Sequence, residues 1–183
     1  MAGFWAQPTI EPKRQFRFIL QLDGIDAFTI KSVKKPGFTI SEYEHKYLNH
    51  TFYYPGRLTW NEIEFTLVDP VDPDMASALM NKLTLSGYQL PTDEQRALQS
   101  TISKARAVGA LGLVTIKQLA PPTGGGGLGV EKIVEQWELN NAWVRDVTFG
   151  DLSYDSEDAT EITVTLRYDF AEYRKTNEEA SQI

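Results

Sequence analysis

The stretch from Phe38 to Leu67 constrains the fold more than any other part of the chain. In its second half Ile63, Phe65 and Leu67 alternate with polar residues, which is the pattern of a strand with one buried face. Its first half crowds five aromatic residues around the Pro55-Gly56 turn signal, without a steady alternation. The stretch therefore predicts a long β-arm, over residues 38–60, that leads into a core strand.

The aromatic residues of this arm have two possible uses. Aromatic side chains with polar tips suit a surface that another chain will cover. Alternatively, the arm is a long hairpin that folds back onto its own domain. If the arm is covered by another chain, the predicted inter-subunit residues are Tyr43, Tyr47, Phe52, Tyr53, Tyr54 and Arg57.

The segment before the arm predicts antiparallel β-structure. Residues 16–22 alternate apolar and polar side chains and end at Asp23-Gly24, a strong tight-turn dipeptide. We expect residues 28–31 to form the hairpin partner of this strand, and residues 34–37, Lys-Lys-Pro-Gly, to end that partner before the arm begins.

Two helices are predicted after the arm. Asp72 is the expected N-cap of the first, with Pro73 at its first helical position and an apolar stripe at Met75, Leu79 and Leu83. Gly87 is then the expected C-terminal cap. A second helix is predicted from residue 92 to residue 109, with a capping box at its start and a thin stripe at positions 98, 102 and 105.

The remaining segments return to β-structure. Strands are predicted over residues 113–119 and 130–139, on either side of a tetraglycine connection at 124–127, and over residues 161–170. In the last strand Ile162, Val164, Leu166, Tyr168 and Phe170 are expected to face inward. The fold class is therefore mainly β or α+β. We expect one domain over residues 1–183, an antiparallel sandwich or barrel with one or two flanking helices, with 91–130 as an insertion.

Composition excludes several classes of function. A net charge of -7 argues against tight sequence-independent binding of nucleic acid, although it leaves room for a protein that DNA merely passes. The chain has no cysteine, which excludes disulfides and thiolate metal sites. The first eight residues lack the basic and apolar regions of a secretory signal, and no apolar run reaches membrane-spanning length.

No reactive site is predicted, and we expect no catalytic residue, cofactor or metal. The glycine run is not followed by the Gly-Lys-Ser/Thr of a phosphate-binding loop. His45 and His50, five residues apart, would lie on opposite faces of a single strand. Residues 155–158 lack the spacing of a calcium loop. Glu62 and Glu64 share a strand face, where a solvated surface is favoured over a glycosidase pair.

Several segments occur in an order that resembles one protein family. They are an N-terminal strand pair, the arm ending in residues 57–67, the helix after Asp72-Pro73, and the closing segments 137–143, 151–156 and 161–170. In this order and patterning, the chain from about residue 16 to residue 173 resembles the tail tube protein of contractile-tailed, T4-like bacteriophages. Residues 91–130 depart from the shortest family pattern.

The resemblance implies a non-enzymatic virion protein. Its subunits would form homohexameric rings, closed as a β-barrel and stacked into a hollow conduit for DNA ejection. The implied partners are other copies of the chain, a tail sheath protein outside, a tape measure protein and DNA in the lumen, and baseplate and tail terminator proteins at the ends, with no membrane. The implied location is the phage tail, assembled in the host cytoplasm.

Other functions remain open at this stage. Tube proteins of bacterial secretion systems and of extracellular contractile injection systems share the implied fold. A small-ligand-binding β-barrel belongs to a different class and is compatible with this many strands. An enzyme is the third alternative function.

If the strands at 62–67 and 161–170 line a tube, their polar faces form its wall. The predicted lumen-facing residues are Glu62, Glu64, Thr163, Thr165, Arg167 and Asp169. The polar faces of the four clearest strands carry more acids than bases, which predicts a negative wall. The acids counted are Glu62, Glu64, Glu138, Glu161 and Asp169, and the bases are Arg17, Lys132 and Arg167.

Overall fold

The structure is a computed structural model that describes residues 12–92, 94–120 and 132–175. It contains two four-stranded antiparallel sheets, a separate two-stranded arm and three α-helices, so the predicted mainly-β class is confirmed. The strands are β1 Phe18–Gln21, β2 Ile30–Val33, β3 Phe38–Tyr47, β4 His50–Trp60, β5 Ile63–Val68, β6 Val114–Ala120, β7 Lys132–Asn140, β8 Trp143–Thr148, β9 Glu161–Arg167 and β10 Phe170–Arg174. The helices are α1 Met75–Leu85, α2 Glu94–Gln99 and α3 Lys104–Leu111.

The two sheets share one hydrophobic core. The first sheet has the strand order β1-β6-β7-β10 and the second has the order β2-β5-β9-β8. Alternate residues of β5 and β9 are fully buried, as the period of two predicted for them requires. Helices α1 and α3 pack against each other, and α3 also packs against β8. The largest fully buried side chains are Phe65, Leu20, Ile63, Leu67, Leu111, Ile116, Leu139, Ile162 and Leu166.

The predicted hairpin between β1 and β2 is wrong. The turn at Asp23-Gly24 does form, with Gly24 at φ 68, but it closes only a single bridge between Leu22 and Ile25. A short 3₁₀ helix, Ala27–Thr29, then redirects the chain. As a result β1 pairs with β6 and β2 pairs with β5, which places the two strands in different sheets. Phe28, predicted to lie in the second strand, is exposed in the 3₁₀ helix.

The starts and ends of the helices also differ from prediction. Asp74, not Asp72, caps α1, and its side chain accepts a hydrogen bond from the Ser77 amide at 2.9 Å. The Asp69 carboxylate accepts from the Met75 amide at 3.0 Å, so the first turn has two acidic acceptors. Gly87, at φ 112, directly follows the C-cap Ser86, as predicted.

The second predicted helix is two helices. α2 ends at Gln99, and the Ser103 side chain accepts from the Arg106 amide to start α3. The prediction of one continuous helix is wrong because two residues of its apolar stripe, Leu98 and Ile102, are 79% and 55% exposed. Burial of the stripe therefore does not stabilise a single helix. α3 runs past the predicted stop at Gly109 and ends before Gly112, which has φ 73.

The final predicted strand divides in two. Ile162, Val164, Leu166 and Tyr168 are buried as expected. The chain then crosses at Asp169 into the first sheet, where Phe170 pairs with Asn140. Phe170 is consequently 44% exposed, not inward-facing.

Several predicted features lie outside the described residues, namely the tetraglycine connection and the first and last residues of the chain. Within the described part, no helix is long and apolar enough to cross a membrane.

Candidate assembly surfaces

The arm is a free-standing hairpin of β3 and β4. All of its residues are exposed except Trp60, which is half-buried. Strands of ten and eleven residues give an arm about 30 Å long at ~3.3 Å per residue. Its base is held by aromatic packing, with the Trp60 ring 5.7 Å from the Phe38 ring and 6.1 Å from the Tyr168 ring. The arm therefore does not fold back onto its own domain.

The pairing register sorts the outer half of the arm into two unlike faces. One face, which we call the aromatic–histidine face, carries no carboxylate. The opposite face carries Glu42, Glu44 and Lys46 together with Tyr53, and Lys46 lies 3.8 Å from Glu44. The aromatic–histidine face consists of the cross-strand pairs Tyr43–Tyr54, His45–Phe52 and Tyr47–His50. Five of the six predicted interface residues lie in this outer half, while Arg57 lies at the bulge nearer the base.

The two histidines lie on different strands, which corrects the single-strand geometry assumed from sequence. His45 is on β3 and His50 is on β4, two positions apart on the same face. The described residues contain no group of three or more His, Asp or Glu side chains that could hold a metal ion.

The tip of the arm contains a feature that the sequence analysis missed. Tyr47 pairs with His50, so Leu48 and Asn49 form a two-residue turn. Leu48 has φ 52 and is 85% exposed. This region of backbone conformation favours glycine or asparagine and penalises a bulky side chain. The arm thus presents an apolar side chain at the position where that residue type is least favourable for the turn.

The second sheet turns a polar face away from the core. Cross-strand pairs on this face are Glu64 with Thr165, Thr66 with Thr163, and Asp146 with Thr165 on the other side. Thr148 also lies opposite Thr163. Five of the six predicted lumen residues, Glu62, Glu64, Thr163, Thr165 and Arg167, are therefore brought together. We call this surface the threonine face.

Ion pairs occupy the margins of the threonine face. Glu62 accepts from Arg167 at 3.1 Å and also pairs with Arg145. The hydrogen bond from Arg145, followed by the charges of both guanidiniums, lowers the pKa of Glu62. Lys31 pairs with Glu161 at the other end. Among the described residues, Glu64 and Asp146 are left without an ion pair.

Asp169, the sixth predicted lumen residue, lies apart from this face. It follows β9 and accepts hydrogen bonds from Lys104 of α3 at 2.6 Å and from Asn141 at 2.8 Å. The hydrogen bond from Lys104 is the main cause of its lowered pKa. Arg17, Lys132 and Glu138 belong to the first sheet or its approach, so the four strands that were counted together do not form one wall.

The charge of the threonine face was consequently misjudged from sequence. Lys31, Arg145 and Asp146 were missed. Alternation could not have placed both Arg145 and Asp146 on this face, because adjacent residues of a regular strand face opposite ways; a bulge between Val144 and Asp146 allows it. The threonine face and its margins carry four acids and three bases, so their net charge is -1. The four strands chosen from the sequence gave a net charge of -2. The acids are Glu62, Glu64, Asp146 and Glu161, and the bases are Lys31, Arg145 and Arg167.

A buried carboxylate secures the segment that leads into the arm. Glu135 on β7 is 7% exposed and pairs with Lys13 and, at 2.7 Å, with Lys35. The Trp137 indole donates to the same carboxylate at 2.7 Å. Burial pushes the pKa of Glu135 upward, but these hydrogen bonds outweigh it and lower the pKa to about 2. Because Lys35 precedes β3 by only three residues, this network fixes the root of the arm to the first sheet.

The cavities do not resemble a ligand-binding barrel. Residues from both sheets fill the space between them, with Leu20, Ile63, Val114 and Val164 at 0% exposure. The most apolar concavity, of about 400 Å³, lies between the helices α1 and α3 and strand β8, not between the two sheets, and is lined by Leu79, Met80, Leu111, Trp143 and Phe149. One groove of about 540 Å³ beside the arm base is lined by Leu58, Trp60, Ile102, Trp143 and Tyr168.

Comparison with known proteins identifies the fold. No protein-family model and no curated protein matches the sequence. The chain is similar to a chain in the structure of the anti-feeding prophage tube-terminating cap, with a TM-score of 0.62 and 15% identity over 96% of this chain and 100% of that one. It is also similar to a chain of the anti-feeding prophage baseplate (TM-score 0.61, 12% identity, 91% and 97% covered). A chain of the PVC extracellular contractile injection system, in its extended sheath–tube complex, gives a TM-score of 0.57 at 16% identity, with 96% and 100% covered.

These similarities span nearly the full length of both chains in each comparison. The chain has the fold of the tube and terminator proteins of contractile injection machines, and the fold implied by the sequence resemblance is confirmed.

Proposed function

We propose that this chain is a non-enzymatic structural subunit of the hollow tube of a contractile tail or injection machine. The proposal rests on the second sheet, which has a polar outer face and, in the described part of the chain, two open edges. It is apolar toward the core and rich in hydroxyls on its outer face, and its edge strands β2 and β8 have no further partner among the described residues. An open sheet of this kind is completed when copies join edge to edge into a ring, which removes the free edges.

Six subunits per ring is the proposed number. The baseplate structure that contains a similar chain is described as 6-fold symmetrised. In such a ring the threonine face forms the bore, and the first sheet and the helices lie outside it. Arms of one ring then reach a neighbouring ring, with Tyr43, Tyr47, Phe52, Tyr53, Tyr54 and Arg57 as contact residues.

The partners follow from this arrangement. A sheath protein surrounds the tube, a tape measure protein and then the cargo occupy the bore, and terminator and baseplate proteins close the two ends. The structures of similar fold include a terminating cap, a baseplate and a sheath–tube complex, which supports these classes of partner.

Two kinds of machine fit the same tube. The narrower proposal is a phage tail that ejects DNA, in which the protein is part of the virion and is assembled in the host cytoplasm. The second candidate is an extracellular contractile injection system, and it is favoured by the similarity to the PVC sheath–tube chain.

The bore chemistry bears on the DNA candidate. A net -1 per subunit, repeated by ring symmetry, gives a weakly negative wall that repels phosphates. Ion pairs hold most charges of the wall at its margins, and neutral threonines occupy its centre. Such a lining does not retain a polyanion, whereas a basic lining would hold DNA through counterion release.

Negative-stain microscopy of the purified chain at high concentration tests the proposal. Sixfold rings or stacked tubes are expected. Class averages that contain only compact monomers would contradict it.

A wall variant tests the DNA candidate. Glu64→Lys changes the wall from -1 to +1 per subunit, and because Glu64 has no ion pair among the described residues, assembly should be retained. Glu62→Lys is the poorer choice, because it would set a third cation beside Arg145 and Arg167. In a phage that carries Glu64→Lys, genome ejection should slow, most strongly at low salt. Ejection that matches the parent at every ionic strength would exclude DNA transit past this face.

A further inference from the structure

The arm and the β8–β9 loop lie at opposite ends of the second sheet. The arm joins β5 at its start, where Ile63 pairs with Leu166. The loop, residues 149–160, joins the other end, where Val68 pairs with Glu161 and the Asp69 amide donates to Thr160. Subunits stacked head to tail therefore bring the arm end of one copy to the loop end of the next.

The loop end forms an exposed concavity of about 1100 Å³. Its lining includes Leu152, 89% exposed, and Tyr154, fully exposed at 110%. The carboxylates of Asp151 and Asp158 also line it, and neither forms an ion pair within the described part of the chain, whereas Lys31 of the same lining is paired with Glu161. The concavity thus combines unpaired carboxylates with uncovered apolar side chains.

The aromatic–histidine face of the arm has the complementary chemistry. It contains tyrosine hydroxyls and imidazoles, which can donate hydrogen bonds to carboxylates, and it contains no carboxylate of its own. The acids of the arm, Glu42 and Glu44, are on the opposite face. Leu48 at the tip adds an apolar side chain for the apolar part of the concavity.

We propose that the arm tip and aromatic–histidine face of one copy dock into the β8–β9 loop concavity of a second copy in the next ring. The contact joins two different surfaces, so it repeats along an axis without closing. Leu48 is the apolar anchor, and the loop carboxylates accept hydrogen bonds from the arm. This inference rests on the proposed function and assigns the receiving surface of the stacking contact.

Cysteine cross-linking tests the contact directly, because the chain has no cysteine of its own. The double variant Asn49→Cys/Ser153→Cys, which keeps Leu48 in place at the arm tip, should form intermolecular disulfides under mild oxidation and give a ladder of linked chains on a non-reducing gel. A matched variant, Asn49→Cys/Ser103→Cys, places the second thiol beside the groove at the arm base and should give no ladder. A ladder from the Ser103 variant in place of the Ser153 variant would overturn the proposal. Tubes of the Ser153 variant that contain no intermolecular disulfide would overturn it as well.

Two further variants separate docking from folding. Leu48→Gly relieves the positive φ, so stability should stay the same or rise while rings fail to stack. Asp151→Lys/Asp158→Lys, at two carboxylates that line the concavity, should likewise leave rings that do not stack, whereas Glu94→Lys/Glu172→Lys, which changes charge equally outside both surfaces, should stack normally. Normal stacking of the first two variants would refute the assigned surface and leave the tube proposal standing. A parent chain that forms no rings would refute the tube proposal itself.

Discussion

β4 and β5 are adjacent in the chain, yet their environments are opposite. In β5 every second residue is buried. In β4, which ends only two residues earlier, ten of eleven residues are exposed. Both strands are rich in aromatic and β-branched residues, so β-propensity does not distinguish them. The difference shows that the core stabilises β5, whereas β4 pairs with β3 and, among the described residues, contributes only Trp60 to the core.

This contrast predicts where a mutation will affect folding and where it will affect only assembly. The expected change in the free energy of unfolding decreases from the core strand, through the root of the arm, to the arm itself.

The largest effect is expected in the core strand. Phe65→Ala removes a fully buried side chain and should cost about 3–5 kcal/mol of stability. Tyr54→Ala removes an exposed ring of the arm and should cost less than about 0.5 kcal/mol. Urea denaturation of both variants measures the difference, and similar losses would show that the arm contributes to the subunit core.

An intermediate effect is expected at the root of the arm. Glu135→Gln should cost on the order of 2 kcal/mol at neutral pH, because two lysines lose their carboxylate partner. The pKa of Glu135 is about 2 when folded, against 4.5 ordinarily. Its contribution is therefore complete above about pH 4.5 and declines as the pH falls toward 2.

Urea titrations of the parent and of Glu135→Gln, repeated between pH 6 and pH 2.5, check this dependence. Glu172→Gln, at an exposed glutamate on β10, is the control. A difference between parent and Glu135→Gln that stays constant with pH would contradict the ion-pair explanation.

A small gain in stability is expected at Tyr168. Its hydroxyl is buried without a hydrogen-bond partner among the described residues, and burial raises its pKa to about 12. Tyr168→Phe removes a polar group that desolvation penalises. The unfolding midpoint in a urea titration should rise, by an amount that corresponds to a gain of about 0.5–1 kcal/mol in the free energy of unfolding. A loss of stability would reveal a partner for this hydroxyl.

The smallest effect on stability is expected from shortening the arm. Replacing residues 44–54 with a short Gly-Ser turn leaves the base packing of Trp60, Phe38 and Tyr168 in place, so the unfolding free energy should change by less than about 0.5 kcal/mol. Stacking should be lost, since each aromatic contact at such an interface is worth on the order of 1–2 kcal/mol. An unfolded product would mean that the arm belongs to the core.

Features that depend on near neighbours in the chain could be predicted from the sequence. Alternation identified β5 and most of β9, the Lys-Lys-Pro-Gly segment marked the start of the arm, and Gly87 marked the end of α1. The sequence also grouped Glu62 with Glu64, and Thr163 with Thr165 and Arg167, as predicted lumen residues, because side chains at positions i and i+2 of one strand share a face; the pairing of β5 with β9 then brings the two groups together. The two helix errors are local as well, since Asp72 and Asp74 are both good caps and a thin stripe does not show whether it will be buried.

Features that depend on distant segments could not be predicted in this way, because they are set by tertiary contacts. Strand partners set the sheet to which β1, β7 and β10 belong, and so they removed Arg17, Lys132 and Glu138 from the predicted wall. The buried network of Glu135 joins it to residues 100 and 122 positions away. The two faces of the arm follow from a cross-strand register that includes a bulge. Such pairings depend on which long-range contacts bury the most apolar surface, and a local pattern carries no record of that competition.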